Sequence, residues 1–108
     1  MIKTSELPQV LRKPKIEDNL VRICEENNVV FLAIFGSFVR GEQKRGSDLD
    51  IAIKYAEGVR KSLFDLVELQ QRLASLFGRK VDMGEFDFIN PHIVEAVKRE
   101  MKVIYEKR

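Results

Sequence analysis

The sequence predicts a small α/β (α+β) domain, one mixed β-sheet flanked by helices. Two kinds of apolar pattern alternate along its 108 residues. One is the unbroken β-branched and aromatic run VVFLAIF at 29–35, which suits a strand covered on both faces. The other is a helical stripe, first at Ile16, Leu20, Ile23 and Cys24, whose spacing of three and four puts every member on one side of a helix. The length allows one core but not a catalytic domain plus a separate substrate domain.

Residues 1–15 carry two prolines and four basic residues without periodicity, so they read as an N-terminal arm preceding a folded domain over 16–108. The first helix follows and ends near Glu25 to Asn28. Val29 to Phe35 is the first strand, stopped by Gly36. Ser37 to Gly41 has room for one helical turn, and the charged stretch Glu42 to Gly46 is a loop. Asp48 to Tyr55, DLDIAIKY, is the second strand. A helix is expected from about Val59 to Phe77, with Leu63, Leu66, Val67, Leu73, Leu76 and Phe77 as its core-facing stripe and Gly78 as its stop. Lys80 to Phe86 alternates Val81 and Met83 with Asp82, as a third strand does. Asn90-Pro91 opens a last helix through Met101, and Val103-Ile104-Tyr105 closes the chain as a short strand.

Composition removes several classes of function. Nineteen basic residues against 17 acidic leave a net charge of +2, so there is no overall electrostatic footprint for direct nucleic-acid binding. No apolar run is long enough to span a membrane, and MIKTSELPQVLRKPK lacks the apolar centre of a secretory signal. The expected compartment is the cytoplasm. Cys24 is the only cysteine, which excludes an internal disulfide, and its apolar neighbours mark it as a buried hydrophobe. His92 is also alone, placed where a helix starts, and is expected at the surface.

The chemistry gathers in FGSFVRGEQKRGSDLDI, residues 35–51. Asp48 and Asp50 are two apart on a strand and share a face. Two carboxylates held together repel unless a cation lies between them. Mg²⁺ suits the place, because it takes oxygen ligands, often only one or two from protein, and fills the rest with water and substrate phosphates. If the third strand lies beside the second, Asp82 completes a site able to hold a second ion. Gly36 and Ser37 supply a strand end where a phosphate can approach the backbone and a hydroxyl at the start of a helical turn. Arg40, one turn on, could reach the same anion or pair with Glu42.

Gly36-Ser37-Phe38-Val39-Arg40-Gly41, then Ser47-Asp48-Leu49-Asp50-Ile51, then Val81-Asp82, resembles the DNA polymerase β-like nucleotidyltransferase superfamily, in its minimal nucleotidyltransferase (MNT) branch. The resemblance spans roughly residues 16–105 and implies the polymerase β-like fold. It implies that the Gly36-Ser37 turn binds the phosphates of a nucleoside triphosphate, with Arg40 beside it as a further candidate for the same anion. It also implies that Asp48, Asp50 and Asp82 bind Mg²⁺, with Mn²⁺ able to substitute, and carry the catalysis. Members of this branch commonly act as the antitoxin of a HEPN-domain ribonuclease toxin, moving AMP from ATP onto a toxin tyrosine. Two rivals stay open: a non-catalytic MNT-like binding module that neutralises a partner by contact, and a small-molecule nucleotidyltransferase.

Overall fold

The computed structural model describes residues 7–8 and 11–107. In chain order the elements are α1 (Ile16–Glu26), β1 (Val29–Phe35), the single turn α2 (Ser37–Arg40), β2 (Leu49–Tyr55), α3 (Leu63–Phe77), β3 (Val81–Glu85), a 3₁₀ turn (Phe86–Phe88), α4 (Pro91–Glu100) and β4 (Lys102–Glu106). The strands form one sheet in the order β3-β2-β1-β4. β1 runs antiparallel to β2 and β4, while β2 and β3 are parallel, so the sheet is mixed as the sequence predicts. A parallel pair needs a crossover, and α3 supplies it.

Register places the core. Leu32 pairs with Ile53 and Ile34 with Ile51 across the two central strands, and all four are buried. Leu20, Ile23 and Cys24 of α1 join Leu69, Leu73 and Phe77 of α3 in the same cluster. Each fully buried chain of this kind contributes about 1.5–3 kcal/mol, which is how a sheet of four short strands holds together. Burial pushes the Cys24 thiol up to about 12, with the charge of Glu25 adding to it, so it stays protonated and inert.

Two expectations change. α3 begins at Leu63 rather than near Val59, because Ser62 caps it: its hydroxyl accepts from the Asp65 N–H while the Asp65 carboxylate accepts from the Ser62 N–H. The apolar stripe is also shifted. Leu69, Leu73 and Phe77 are buried and Leu66 and Leu76 are half-buried, whereas Leu63 and Val67 are exposed at 74% and 44%. Leu66, Leu69, Leu73 and Phe77 advance by three, four and four, the row that faces the sheet; Leu63 and Val67 lie on the flank beside it. Ser62→Ala is expected to cost about 1 kcal/mol in a urea titration, the usual scale for a lost N-cap.

Residues 1–6 and 9–10 lie outside the described residues, but Leu7 and Leu11 are buried in the main cluster at 2% and 0% exposure. The lead-in to α1 thus shares the core of the domain. At the other end the reading is close: Asn90 caps α4 by accepting from the His92 N–H, Pro91 fills the first turn, and His92 is exposed.

Candidate active site

Three adjacent strands bring Phe35, Asp50 and Asp82 side by side. Phe35 at the end of β1 pairs with Asp50 of β2, and Asp50 pairs in register with Asp82 of β3. Neighbouring strands stand about 4.8 Å apart, and partner side chains in a parallel ladder share a face. The adjacency of Asp82 to the Asp-x-Asp strand, an assumption at the level of sequence, is present. Asp48 sits one residue before β2 and is exposed, as is Asp82, whereas Asp50 is half-buried.

This crowding marks Asp50. Its pKa is raised, by burial first, then by the negative charges of Asp82 and Asp48, with Glu100 adding a little and Arg40 opposing. Among the described residues no three acid, His or Cys side chains converge closely enough to hold a metal ion by themselves. The donor type nevertheless fits Mg²⁺, since Asp48 and Asp82, the acids around Asp50, offer hard oxygens and this ion needs only one or two of them from protein. A divalent cation would also relieve the repulsion that raises Asp50.

The Gly36 turn is built around the same carboxylate. Gly36 has φ 80° and ψ −153°, a region essentially reserved for glycine. A Cβ there would collide with Asp50 Oδ2 and stand 3.1 Å from its Cγ, so the missing side chain is the space in which Asp50 sits. The Gly36 N–H donates to Glu100 Oε1 at 2.9 Å. Ser37, half-buried, opens α2 directly beyond it.

Arg40 is held by two acids. Its Nε donates to Glu42 Oε1 at 2.7 Å, and its Nη1 donates to both Glu100 oxygens at 3.0 and 2.9 Å. Of the two roles left open by the sequence, the pairing with Glu42 is observed. Glu100 is the participant that sequence reasoning missed. It is the last residue of α4, where the helix dipole disfavours a negative charge, and that mismatch was the available signal that a cation or N–H must face it. Its pKa is lowered: burial pushes it up, and the Gly36 N–H and Arg40 outweigh that.

Beside Asp50 and Asp82 opens a cavity of about 350 Å³, floored by Phe35, Met83 and Val97 and rimmed by Phe88 and Ile93. Phe88 and Ile93 are exposed at 79% and 52%, so the rim presents apolar surface next to two carboxylates.

A four-stranded mixed sheet with a Gly-Ser turn set against paired aspartates defines a nucleotidyltransferase, and residues 18–108 match the family described as Polymerase beta, Nucleotidyltransferase. The chain belongs to that family. It is similar to the protein adenylyltransferase MntA of Thermococcus cleftensis, at 33% identity over 94% of this chain and 95% of that protein. Its fold matches the crystal structure of a toxin-antitoxin with AMP-PNP at TM-score 0.67 and 26% identity, covering 85% of this chain and 74% of the other. A tri-AMPylated Shewanella oneidensis HEPN toxin in complex with MNT antitoxin shares the fold, at TM-score 0.60 and 21% identity over 85% and 71% of the two chains. No helix among the described residues is long and apolar enough to cross a membrane.

Proposed function

We propose that this chain is an antitoxin that transfers AMP from ATP to a tyrosine hydroxyl of a HEPN-type toxin. The observation that carries the reading is the pairing of Asp50 with Asp82 at the mouth of an apolar cavity. A slot with an apolar floor ending on carboxylates suits an aromatic ring with a hydroxyl at its tip. The similarity to MntA and to toxin-antitoxin complexes supports the same choice of donor and partner.

In the reaction the tyrosine oxygen bonds to the α-phosphorus of ATP while the bond from that phosphorus to the bridging oxygen breaks, releasing pyrophosphate. The Gly36-Ser37 turn receives the phosphates, with the Ser37 hydroxyl as a donor. Asp82 is exposed on the sheet's edge strand, where a side chain from another protein can reach it, and it receives the hydroxyl proton. Asp48, Asp50 and Asp82, together with the nucleotide's phosphates, would hold Mg²⁺, which would supply charge to lower the pKa of the attacking hydroxyl and to screen the leaving oxygens. One core leaves little surface with which to orient an acceptor, so the partner completes the site.

Incubating the purified chain with Mg²⁺, ATP labelled at the α-phosphate and the protein encoded by its neighbouring gene tests the proposal. Label on a tyrosine of that protein, with slow transfer to water or small alcohols, is the expected outcome. Label on an antibiotic or on nucleic acid would keep a nucleotidyltransferase and remove the antitoxin, and a tight unlabelled complex would select the contact-only module.

A further inference from the structure

Glu100 makes three contacts that no account of the nucleotide site has required. One carboxylate accepts the Gly36 N–H and, through both oxygens, the Arg40 guanidinium, tying the end of α4 to a turn 64 residues earlier in the chain. Gly36 in turn is the residue whose absent side chain makes room for Asp50. Arg40, engaged by Glu42 through Nε, gives Nη1 to both Glu100 oxygens.

We propose that Glu100 is the positioning residue of this site: by holding the Gly36 amide and the Arg40 guanidinium together it fixes the glycine turn and, through it, the place of the Asp50 carboxylate. The inference rests on the nucleotidyl-transfer reading for its kinetic effect, but not for its structural one. Three features carry it. The Gly36 N–H is occupied by Glu100, so the turn's conformation depends on that acceptor rather than on a bound phosphate. The side chain of Glu100 is 28% exposed, its three hydrogen bonds are charge-assisted, and the one from the Gly36 N–H is partly shielded from water. The turn is a glycine-only conformation, and a glycine has more backbone freedom to lose than any other residue, so an acceptor on its N–H helps to tether it in one geometry. Arg40 then acts as the tether's second strand, and phosphate recognition falls to Ser37.

Glu100→Ala and Glu100→Gln separate this role from simple support of the fold. At saturating ATP, and well below the melting temperature of each variant, Glu100→Ala is expected to lower kcat for adenylyl transfer by roughly 10- to 100-fold, as misplacement of a reacting group by about an ångström does. KM for ATP should change less. Glu100→Gln keeps one acceptor oxygen for the Gly36 N–H and should recover most of kcat. Equal kcat in Glu100→Ala and wild type would overturn the proposal. So would a Glu100→Ala variant with tighter ATP binding and faster transfer, because Glu100 would then be a carboxylate occupying the phosphate's place. A second readout stands apart from activity. In the metal-free protein, the Gly36 amide and Asp50 carboxyl NMR resonances should move together in Glu100→Ala and return toward wild type in Glu100→Gln. A wild-type chain that transfers nothing would refute the adenylyl-transfer reading while the resonances still decide Glu100; an unmoved Asp50 carboxyl would refute the positioning role whatever the activity.

Discussion

Asp50→Asn is expected to reduce adenylyl transfer by about a thousandfold or more while raising the melting temperature of the metal-free protein. The two effects have one origin. Asp50 stands beside Asp82 and near Asp48, and burial together with those charges raises its pKa above the ordinary carboxylate value. A group that binds its proton more tightly when folded makes the fold less stable as pH rises from that ordinary value through the raised one, and the loss is complete once pH lies above the raised value. Asparagine does not ionise, so the loss disappears. It also removes the charge that holds a divalent cation, and several kcal/mol of transition-state stabilisation go with it, each 1.4 kcal/mol being about a factor of ten in rate. Thermal melts in chelator at neutral pH should place the variant above wild type. Melts with Mg²⁺ and ATP should reverse the order, because only wild type gains from ligand binding to the native state. A variant that still transfers labelled AMP at the wild-type rate would remove Asp50 from the chemistry.

Gly36→Ala should damage both stability and transfer. The backbone at this position, φ 80° and ψ −153°, costs a non-glycine residue about 1–3 kcal/mol. The added methyl also meets Asp50 Oδ2, so the carboxylate must leave its seat or the turn must open. A loss of about 2–4 kcal/mol is expected, or roughly 8–30 °C in melting temperature at the usual 4–8 °C per kcal/mol for a domain near this size. A double-mutant cycle with Asp50→Ala identifies the cause. Once the carboxylate is gone the methyl has room, so the two substitutions together should destabilise by less than their sum. Strict additivity would mean that the backbone, and not the collision, carries the effect.

The sequence disclosed most of this where one physical cause dominated. β1 matches its expected bounds because a run of seven β-branched, aromatic and small apolar residues has no alternative to a strand covered on both faces. The register of Asp50 with Asp82 could be suspected but not read, since strand order depends on how α3 crosses the sheet, and no local pattern encodes that. α3 was misplaced at its start and in its phase for a related reason. Two apolar rows overlap on that helix, periodicity alone cannot choose between them, and the Ser62–Asp65 capping box settles the boundary by hydrogen bonding rather than by hydrophobicity. Leu7 and Leu11 were obscured by the prolines and lysines around them, although their spacing of four was visible. Glu100 was hidden among charged neighbours, because an acid in Lys98-Arg99-Glu100 looks like solvated surface until the fold brings it to Gly36.

The tie between Gly36 and Glu100 has a consequence for how the protein comes into being. A chain emerging from the ribosome presents the Gly-Ser turn and the Asp-x-Asp strand early, yet β1 waits for β4, and Gly36 waits for an acceptor 64 residues downstream. Closing so long a loop is entropically costly, and non-local pairing of this kind makes folding slow compared with helix formation. The nascent chain therefore carries the acids without the geometry. Competence for adenylyl transfer should appear late and all at once during synthesis, in step with the insertion of β4 rather than with the appearance of Asp48 and Asp50. On the proposed antitoxin role, protection against the toxin would be delayed until β4 is in place.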